Sequence, residues 1–69
     1  MEEVNIDEIY IHINTGRAYE ILACENYKLK FNGVWYDAVL YRGAGPGENE
    51  IWSRTKEDFM KKFKKYIGI

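Results

Sequence analysis

The sequence predicts a mainly β domain that ends in one amphipathic α-helix, and three observations support this prediction. Short apolar and aromatic segments alternate with turn residues between residues 9 and 54. The longest segment, residues 34–42, reads Val-Trp-Tyr-Asp-Ala-Val-Leu-Tyr-Arg and contains no glycine or proline. From residue 55 onward, apolar residues recur at helical spacing instead. A chain of 69 residues accommodates a single domain, 1–69, and no second core.

The composition points to an aromatic core without covalent or metal support. The chain has eleven aromatic rings (two Trp, six Tyr and three Phe), and each buried ring removes roughly 150–250 Å² from water. Cys24 is the only cysteine, which excludes an intrachain disulfide. Together with the single His12 it falls short of a structural zinc site, so we expect no metal and no cofactor.

The charge is close to neutral but unevenly distributed. The formal net charge is −1 and the pI is about 5.8, which gives no general bias toward nucleic acid. Residues 1–50 carry four basic and nine acidic side chains, whereas residues 51–69 carry six basic and two acidic ones. The body is therefore acidic and the tail basic.

The sequence predicts a cytoplasmic protein. No apolar run approaches the roughly 18 residues of a membrane-spanning helix. The N-terminus, Met1-Glu2-Glu3, is acidic where a secretory signal is basic and then apolar. A lone thiol also agrees with a reducing compartment.

The N-terminal half of the chain predicts a hairpin. Residues 1–8 are acidic and poor in apolar side chains, so we expect them to fray. Residues 9–13 alternate, with three isoleucines on one face and Tyr10 and His12 on the other. Residues 14–17, Asn-Thr-Gly-Arg, predict a tight turn, after which residues 18–23 resume a strand.

A second hairpin is predicted around Asn32-Gly33, which is the strongest short-range turn signal in the chain. A two-residue loop places Phe31 opposite Val34 and brings Lys28 and Lys30 near Asp37. The following segment, residues 34–42, is rich enough in apolar residues to predict a central strand that packs on both sides.

The C-terminal part predicts a loop, a strand and a helix. Residues 43–49 are glycine-rich and predict a loop, and residues 50–54 predict a short strand. Thr55 is a favourable N-cap with Asp58 three residues later. The predicted helix covers about residues 56–67, and Gly68 is placed to end it. Its apolar positions are Phe59, Met60, Phe63, Tyr66 and Ile67, opposite a lysine face.

About five short strands within residues 9–54, followed by one helix, favour a small SH3-like β-barrel capped by the C-terminal helix. Several residues also follow one another in a distinctive order. They are Tyr10-x-His12, Gly16-x-x-Tyr19-x-Ile21, Val39-Leu40-Tyr41-Arg42 and Trp52-x-Arg54 with Phe59 five residues later.

This succession resembles a family of short bacterial and phage proteins of unknown function. Members of that family are similar in carrying a Tyr-x-His, Gly-x-x-Tyr-x-Val, Val-Val-Tyr, Trp-x-Arg-x-x-x-x-Phe order. The resemblance covers residues 10–63 and implies an SH3-like barrel of phage or bacterial origin, without an assigned activity. The chain differs in a charged and aromatic insertion at residues 25–33 and in a longer lysine-rich tail.

Six residues are candidates for protein binding, in two overlapping groups. An exposed patch is predicted around Trp35, Tyr36, Trp52 and Arg54, and Tyr10 and His12 join Trp52 and Arg54 in a recognition patch with an aromatic floor, one cation and one imidazole. Such patches bind carboxylates, phosphates or aromatic groups. The alternative is structural: His12 bonds to a backbone carbonyl, and Trp52 and Arg54 stack over one end of the barrel. Catalysis by His12 has little support, because no nucleophile lies at a recognisable spacing, and we assign no catalytic residue.

Two other features each have a structural and a functional interpretation. Cys24 follows an apolar strand and is expected to be a small buried hydrophobe rather than a reactive thiol. The lysines Lys61, Lys62, Lys64 and Lys65 form a strip that is either a nucleic-acid contact or a solvated helix face.

The sequence therefore predicts a non-enzymatic binding module that acts through protein–protein interaction. A phage-encoded regulator or inhibitor of a bacterial host protein, acting in the host cytoplasm, is the role that the resemblance implies. The alternative is a nucleic-acid-binding protein that uses the lysine-rich helix. Exposed strand edges at residues 9–13 or 51–54 also permit a homodimer.

Overall fold

The computed structural model describes residues 4–67, and it confirms a mainly β domain with a single helix. The elements are β1 Ile9–His12, β2 Ala18–Ala23, β3 Lys28–Phe31, β4 Val34–Gly43, β5 Ile51–Thr55, α1 Lys56–Lys62 and β6 Phe63–Lys65. All strand pairs are antiparallel. No helix within residues 4–67 is long and apolar enough to cross a membrane.

The sheet is organised on β4. Its strand order is β3-β4-β2-β1-β6, and β5 also pairs with β4. β3 pairs with residues 34–37, β2 with residues 40–43, and β5 with residues 38–42. No pairing between the described strands closes the sheet, which has six strands rather than about five.

The prediction that residues 34–42 pack on both sides is right for only half of β4. Ala38 and Val39 are fully buried and Tyr41 nearly so, whereas residues 34–37 are exposed. The reason is the extent of the second partner strand, because β5 pairs only from Ala38 onward. Within the described chain, residues 34–37 pair with β3 alone.

Both predicted turns are confirmed. Gly16 adopts a φ of 74°, and its N–H donates to the carbonyl oxygen of His12 at 2.8 Å. Asn32 and Gly33 adopt φ angles of 50° and 80°, as a two-residue type I′ loop requires. Phe31 consequently lies opposite Val34, as predicted.

The prediction of a helix over residues 56–67 is wrong in its extent. Thr55 is the N-cap, and its hydroxyl accepts the Asp58 N–H at 3.2 Å, as expected. The helix nevertheless ends at Lys62, and β6 then pairs with β1. Phe63 stacks on Phe59 at a centroid distance of 4.3 Å and is 4% exposed. Strand pairing and burial of this ring outweigh the small gain from extending a short helix. The predicted stop at Gly68 lies outside the described residues.

The N-terminal segment packs on the sheet where fraying was expected. Val4 is buried, and its carbonyl accepts a hydrogen bond from the Cys24 thiol at 3.1 Å. The Asp7 N–H donates to the Ile21 carbonyl at 3.0 Å, and the Ile21 N–H donates to the Glu8 carbonyl at 3.1 Å. Residues 4–8 therefore cover one end of β2, and residues 1–3 lie outside the described part.

Candidate functional site

The structure distributes the six predicted site residues over three places. Tyr10 is fully buried in the core. His12, Trp52 and Arg54 line one cavity. Trp35 and Tyr36 lie on the β3–β4 hairpin, on opposite faces because they are consecutive strand residues. The predicted binding residues thus lie in a cavity, on a hairpin and in the core, and neither predicted patch is formed as a whole.

Six aromatic side chains, four of which belong to the core, pack together and are here called the aromatic cluster. They are Tyr10, Tyr19, Tyr41, Trp52, Phe59 and Phe63. Tyr41 is central, with its ring 5.4 Å from Phe59 and 5.2 Å from Phe63. The Tyr10 ring meets Phe59 edge-on at 5.0 Å. Edge-on and offset contacts of this kind stabilise ring pairs beyond their buried area.

Arg54 joins the aromatic cluster to the helix. Its Nε donates to the Tyr41 hydroxyl at 2.9 Å, and its Nη1 donates to Asp58 Oδ2 at 2.6 Å. The guanidinium also lies 5.7 Å from the centre of the Phe63 ring. The hydrogen bond to Asp58 raises the pKa of Arg54, and the same bond lowers the pKa of Asp58 below its usual range. Arg54 is therefore a fixed cation at the edge of the core.

A cavity of about 180 Å³ opens beside Arg54 and is here called the Arg54 cavity. It is lined by His12, Thr15, Tyr19, Tyr41, Trp52, Arg54 and Phe63. His12 Nδ1 lies 3.2 Å from the Thr15 hydroxyl, which orients the imidazole. This bond joins the imidazole to a side chain in the first turn, whereas the structural alternative assigned it to a backbone carbonyl. The three strand residues His12, Trp52 and Arg54, predicted together, do meet here.

The hairpin carries a different kind of surface, here called the hairpin surface. It consists of Phe31, Val34, Trp35 and Tyr36, which are 51%, 50%, 61% and 45% exposed. On one face, the Lys30 ammonium lies 5.5 Å from the centre of the Trp35 ring. Lys28 pairs with Asp37 at 2.5 Å, as predicted from the register, and lowers the pKa of that carboxyl.

The other face of the hairpin borders a groove of about 560 Å³. Phe31, Tyr36 and Asp37 form its hairpin side, and Thr55, Lys56, Glu57 and Met60 form its helix side. The Phe31 and Tyr36 rings are 6.1 Å apart. A second groove, of about 590 Å³, lies along Trp35 with Asn26, Tyr27 and Lys28. One face of this hairpin is thus mainly apolar, and the other carries the accessible Trp35 ring among the charged side chains Lys28, Lys30 and Asp37.

The four lysines predicted as one helical strip lie on two elements. Lys61 and Lys62 belong to α1. The Lys61 ammonium lies 3.9 Å from the Glu57 carboxylate, and the Lys62 ammonium lies 3.8 Å from the Asp58 carboxylate. Lys64 and Lys65 belong to β6, where consecutive side chains point to opposite faces. The Lys65 ammonium pairs with Glu8 at 2.5 Å and lowers the pKa of that carboxyl. The strip on one helix face is therefore not formed.

Cys24 is buried, as predicted, and burial is the main cause that raises the pKa of its thiol. This opposes thiolate chemistry at neutral pH. Within residues 4–67, no group of three or more histidine, cysteine and acidic side chains is placed to hold a metal ion.

Several residues of these surfaces were not among the predicted ones. Thr15, Tyr19, Tyr41 and Phe63 complete the Arg54 cavity. Tyr19 and Tyr41 belong to the Gly-x-x-Tyr and Val-Leu-Tyr segments already noted in the sequence, which was the available signal. Phe31 and Val34 flank the Asn32-Gly33 loop, and the predicted register had already placed them opposite each other.

No protein-family model, curated protein or solved structure matches the chain.

Proposed function

We propose that the protein is a non-enzymatic binding module that acts through protein–protein interaction at the hairpin surface. The observation that carries this proposal is the exposure of four neighbouring large apolar side chains on a single hairpin. They are Phe31, Val34, Trp35 and Tyr36. A small protein gains nothing in stability from leaving such rings in water. Phe31, Val34 and Tyr36 share one face of the hairpin, whereas Trp35 lies on the other, and exposed apolar side chains that adjoin one another are typical of interaction sites.

The composition of the hairpin surface supports a protein as the partner. Aromatic side chains are enriched at the centres of protein interfaces, and they contribute much of the binding energy there. The pair Lys28–Asp37 and the cation Lys30 lie beside the rings and suit the polar rim of an interface. The grooves on both faces offer places for side chains of a partner.

We further propose that the chain is related to the short bacterial and phage proteins that it resembles. Its role would then be that of a regulator or inhibitor of a host protein in the host cytoplasm. What supports this relation is that the residues carrying the resemblance come together in space: Tyr10, Tyr19, Tyr41, Trp52 and Phe59 all belong to the aromatic cluster, and His12 and Arg54 contact it. An SH3-like barrel is the fold that this relation implies.

The test is capture of a partner from bacterial lysate by the immobilised protein, read by mass spectrometry. We expect a protein to be retained by the wild type and lost with Trp35→Thr or Tyr36→Thr, because threonine keeps the strand propensity while removing the ring. Ile51→Thr is the matched control, since Ile51 is 57% exposed on β5, outside the hairpin surface. Sedimentation of the same samples reports whether the retained protein is a second copy of this chain.

Parallel samples treated with nuclease separate the two function classes. Capture that survives nuclease and depends on Trp35 supports the proposal. Capture that disappears with nuclease and weakens steeply with salt would instead favour the nucleic-acid alternative. Equal capture by the wild type and both hairpin variants would contradict the proposal directly.

A further inference from the structure

The Arg54 cavity has the size of one small chemical group. Its volume of about 180 Å³ is close to the roughly 150 Å³ of an apolar cavity that holds a benzene molecule. Pockets for cofactors and drug-sized ligands measure roughly 300–1,000 Å³. The Arg54 cavity therefore accommodates a single ring or one side chain rather than a nucleotide or a cofactor.

Rings form most of the cavity wall. The Tyr19 ring is edge-on to Tyr41 at 5.4 Å, to Trp52 at 5.6 Å and to Phe63 at 5.6 Å. Trp52 remains 37% exposed, so the wall is reached from solvent. Flat aromatic walls favour a flat apolar group, because rings pack well edge-on or offset against one another.

The charge at the cavity favours an anion. Among the lining residues within 4–67, Arg54 is the one with a formal charge, and none of them carries a carboxylate. Arg54 uses Nε for Tyr41 and Nη1 for Asp58, while Nη2 has no hydrogen bond to any residue between 4 and 67. The planar guanidinium is well suited to a planar carboxylate.

Asp58 does not cancel this positive charge. Its Oδ2 accepts from Arg54 at 2.6 Å, while its Oδ1 lies 3.8 Å from the Lys62 ammonium. One carboxylate is thus shared by two cations, which leaves the group with a net positive charge. A cationic ligand would face like-charge repulsion from Arg54 in this cavity.

His12 supplies a second polar group beside Arg54. Its Nδ1 contacts the Thr15 hydroxyl at 3.2 Å, and that hydroxyl also accepts the Arg17 N–H at 3.3 Å. The imidazole is held edge-on to Phe63 at 4.9 Å. Its Nε2 has no protein partner in the described chain, so it is available for a second hydrogen bond to a ligand.

We propose that the Arg54 cavity binds a carboxylate attached to an aromatic ring by a short stem. The ring packs against Tyr19 and Trp52, and the carboxylate accepts from Arg54 Nη2 and contacts His12 Nε2. Two sources supply this chemistry: a free arylacetic acid, or the C-terminal residue of a polypeptide that ends in phenylalanine. The proposal goes beyond the hairpin surface and does not depend on it.

The experiment is a titration of ¹⁵N-labelled protein followed by two-dimensional NMR. The probes are phenylacetate, its neutral analogue phenylacetamide and the cation phenethylamine. We expect saturable shifts of the Trp52 indole and His12 signals with phenylacetate, and binding of phenylacetamide and phenethylamine weaker by roughly tenfold or more, as loss of a charge-assisted bond predicts. The Trp35 indole, on the hairpin, is an internal control and should not move.

A pair of acetylated peptides ending in phenylalanine, one a free acid and one an amide, identifies the source. Tighter binding of the free-acid peptide than of phenylacetate indicates a polypeptide C-terminus, and the reverse order indicates a free acid. Absence of saturable shifts, equal binding of acid and amide, or shifts centred on Trp35 would overturn the proposal.

Two variants complete the test. Arg54→Gln should weaken phenylacetate binding roughly tenfold or more. Trp35→Thr should leave it unchanged, even if capture of a protein partner is lost. Because Arg54 also bonds to Tyr41 and Asp58, the dispersion of the Arg54→Gln spectrum must first show a folded protein. If that variant does not fold, the comparison of acid and amide ligands on the wild type decides the matter alone.

Discussion

The two halves of β4 carry aromatic residues that differ in burial. Tyr41, in the C-terminal half, lies between two partner strands and is 4% exposed. Trp35 and Tyr36, in the N-terminal half, have β3 as their only partner strand within residues 4–67 and are 61% and 45% exposed. In this protein, the neighbouring strands and the helix decide whether an aromatic side chain is buried or exposed, whereas residue type does not.

This comparison divides the rings by role. The aromatic cluster stabilises the domain, and the hairpin surface is available to a partner. A folded chain of this length has a free energy of unfolding of roughly 3–10 kcal/mol, so losing one buried ring is a large fraction of the total. Substitutions in one region, compared with matched substitutions in the other, test this division.

The largest expected effect is on the aromatic cluster. Phe59 is fully buried and packs on Phe63 and Tyr10. Phe59→Ala should lower the free energy of unfolding by about 3–5 kcal/mol, because a ring is lost and a cavity remains. Urea denaturation measures this loss, and Phe59→Leu gives a smaller, measurable loss if the alanine variant does not fold.

The matched control on the hairpin is Phe31→Ala, since Phe31 is 51% exposed. Its loss should be about 1 kcal/mol or less, as for other surface positions. Similar losses for Phe59→Ala and Phe31→Ala would break the proposed division between scaffold and interaction surface.

An intermediate loss of stability, confined to the hairpin, is expected from a substitution in its turn. Gly33 has a φ of 80°, and an alanine there costs roughly 1–2 kcal/mol of backbone strain. Gly33→Ala should speed hydrogen exchange of the amides in residues 28–37 and leave those of β1 and β2 unchanged, because the hairpin opens by itself. Gly45→Ala is the control, since a Cβ there makes only an ordinary 3.7 Å contact with Glu48 and φ is not positive. Faster exchange throughout the sheet would show that the hairpin and the core unfold together.

The smallest expected effect is on the pH dependence of the free energy of unfolding. The hydrogen bond from Arg54 lowers the pKa of Asp58 in the folded protein. The stabilisation from this pair is therefore present above about pH 4, the ordinary range of an aspartate, and is lost as the pH falls through the lowered pKa. Asp58→Asn should reduce stability at pH 7 and flatten the fall in stability as the pH drops below about 4.

Glu57→Gln is the control for Asp58→Asn, because the Glu57 side chain is 85% exposed and 3.9 Å from Lys61. It should leave the acid limb of the stability curve unchanged. The pKa values of Asp37 and Glu8 are also lowered by lysine partners. Both variants should therefore still lose some stability when acid protonates these two carboxylates. An unchanged acid limb in Asp58→Asn would show that the bond to Arg54 is not formed in solution.

Local chemistry explains which parts of the fold were predictable. The Asn32-Gly33 loop and the Thr55 N-cap follow from side chains next to the backbone that they shape, and both were predicted correctly. The end of the helix was not, because Phe59 and Phe63 are four residues apart. That spacing fits a continuing helix equally well, and only pairing with β1, where His12 lies opposite Phe63, selects a strand there.

The burial of the candidate site residues was hard to predict for the same reason, because it depends on strands that are distant in the sequence. Alternation placed Tyr10 and His12 on one face of β1, but it does not tell which part of that face is covered by other strands. Tyr10 is covered, and His12, two residues later, lines the Arg54 cavity. The exposure of Trp35 likewise depends on where β5 begins to pair, which nothing near Trp35 in the sequence encodes.

The most direct test of the division between scaffold and interaction surface uses one double variant, Trp35→Thr/Tyr36→Thr, in two assays. Urea denaturation should show a loss of only about 1 kcal/mol, because both rings are largely exposed and the cation–π contact of Lys30 is a weak surface interaction. Capture of the protein partner should be abolished. A loss of stability as large as that of Phe59→Ala, or full retention of the partner, would contradict the account.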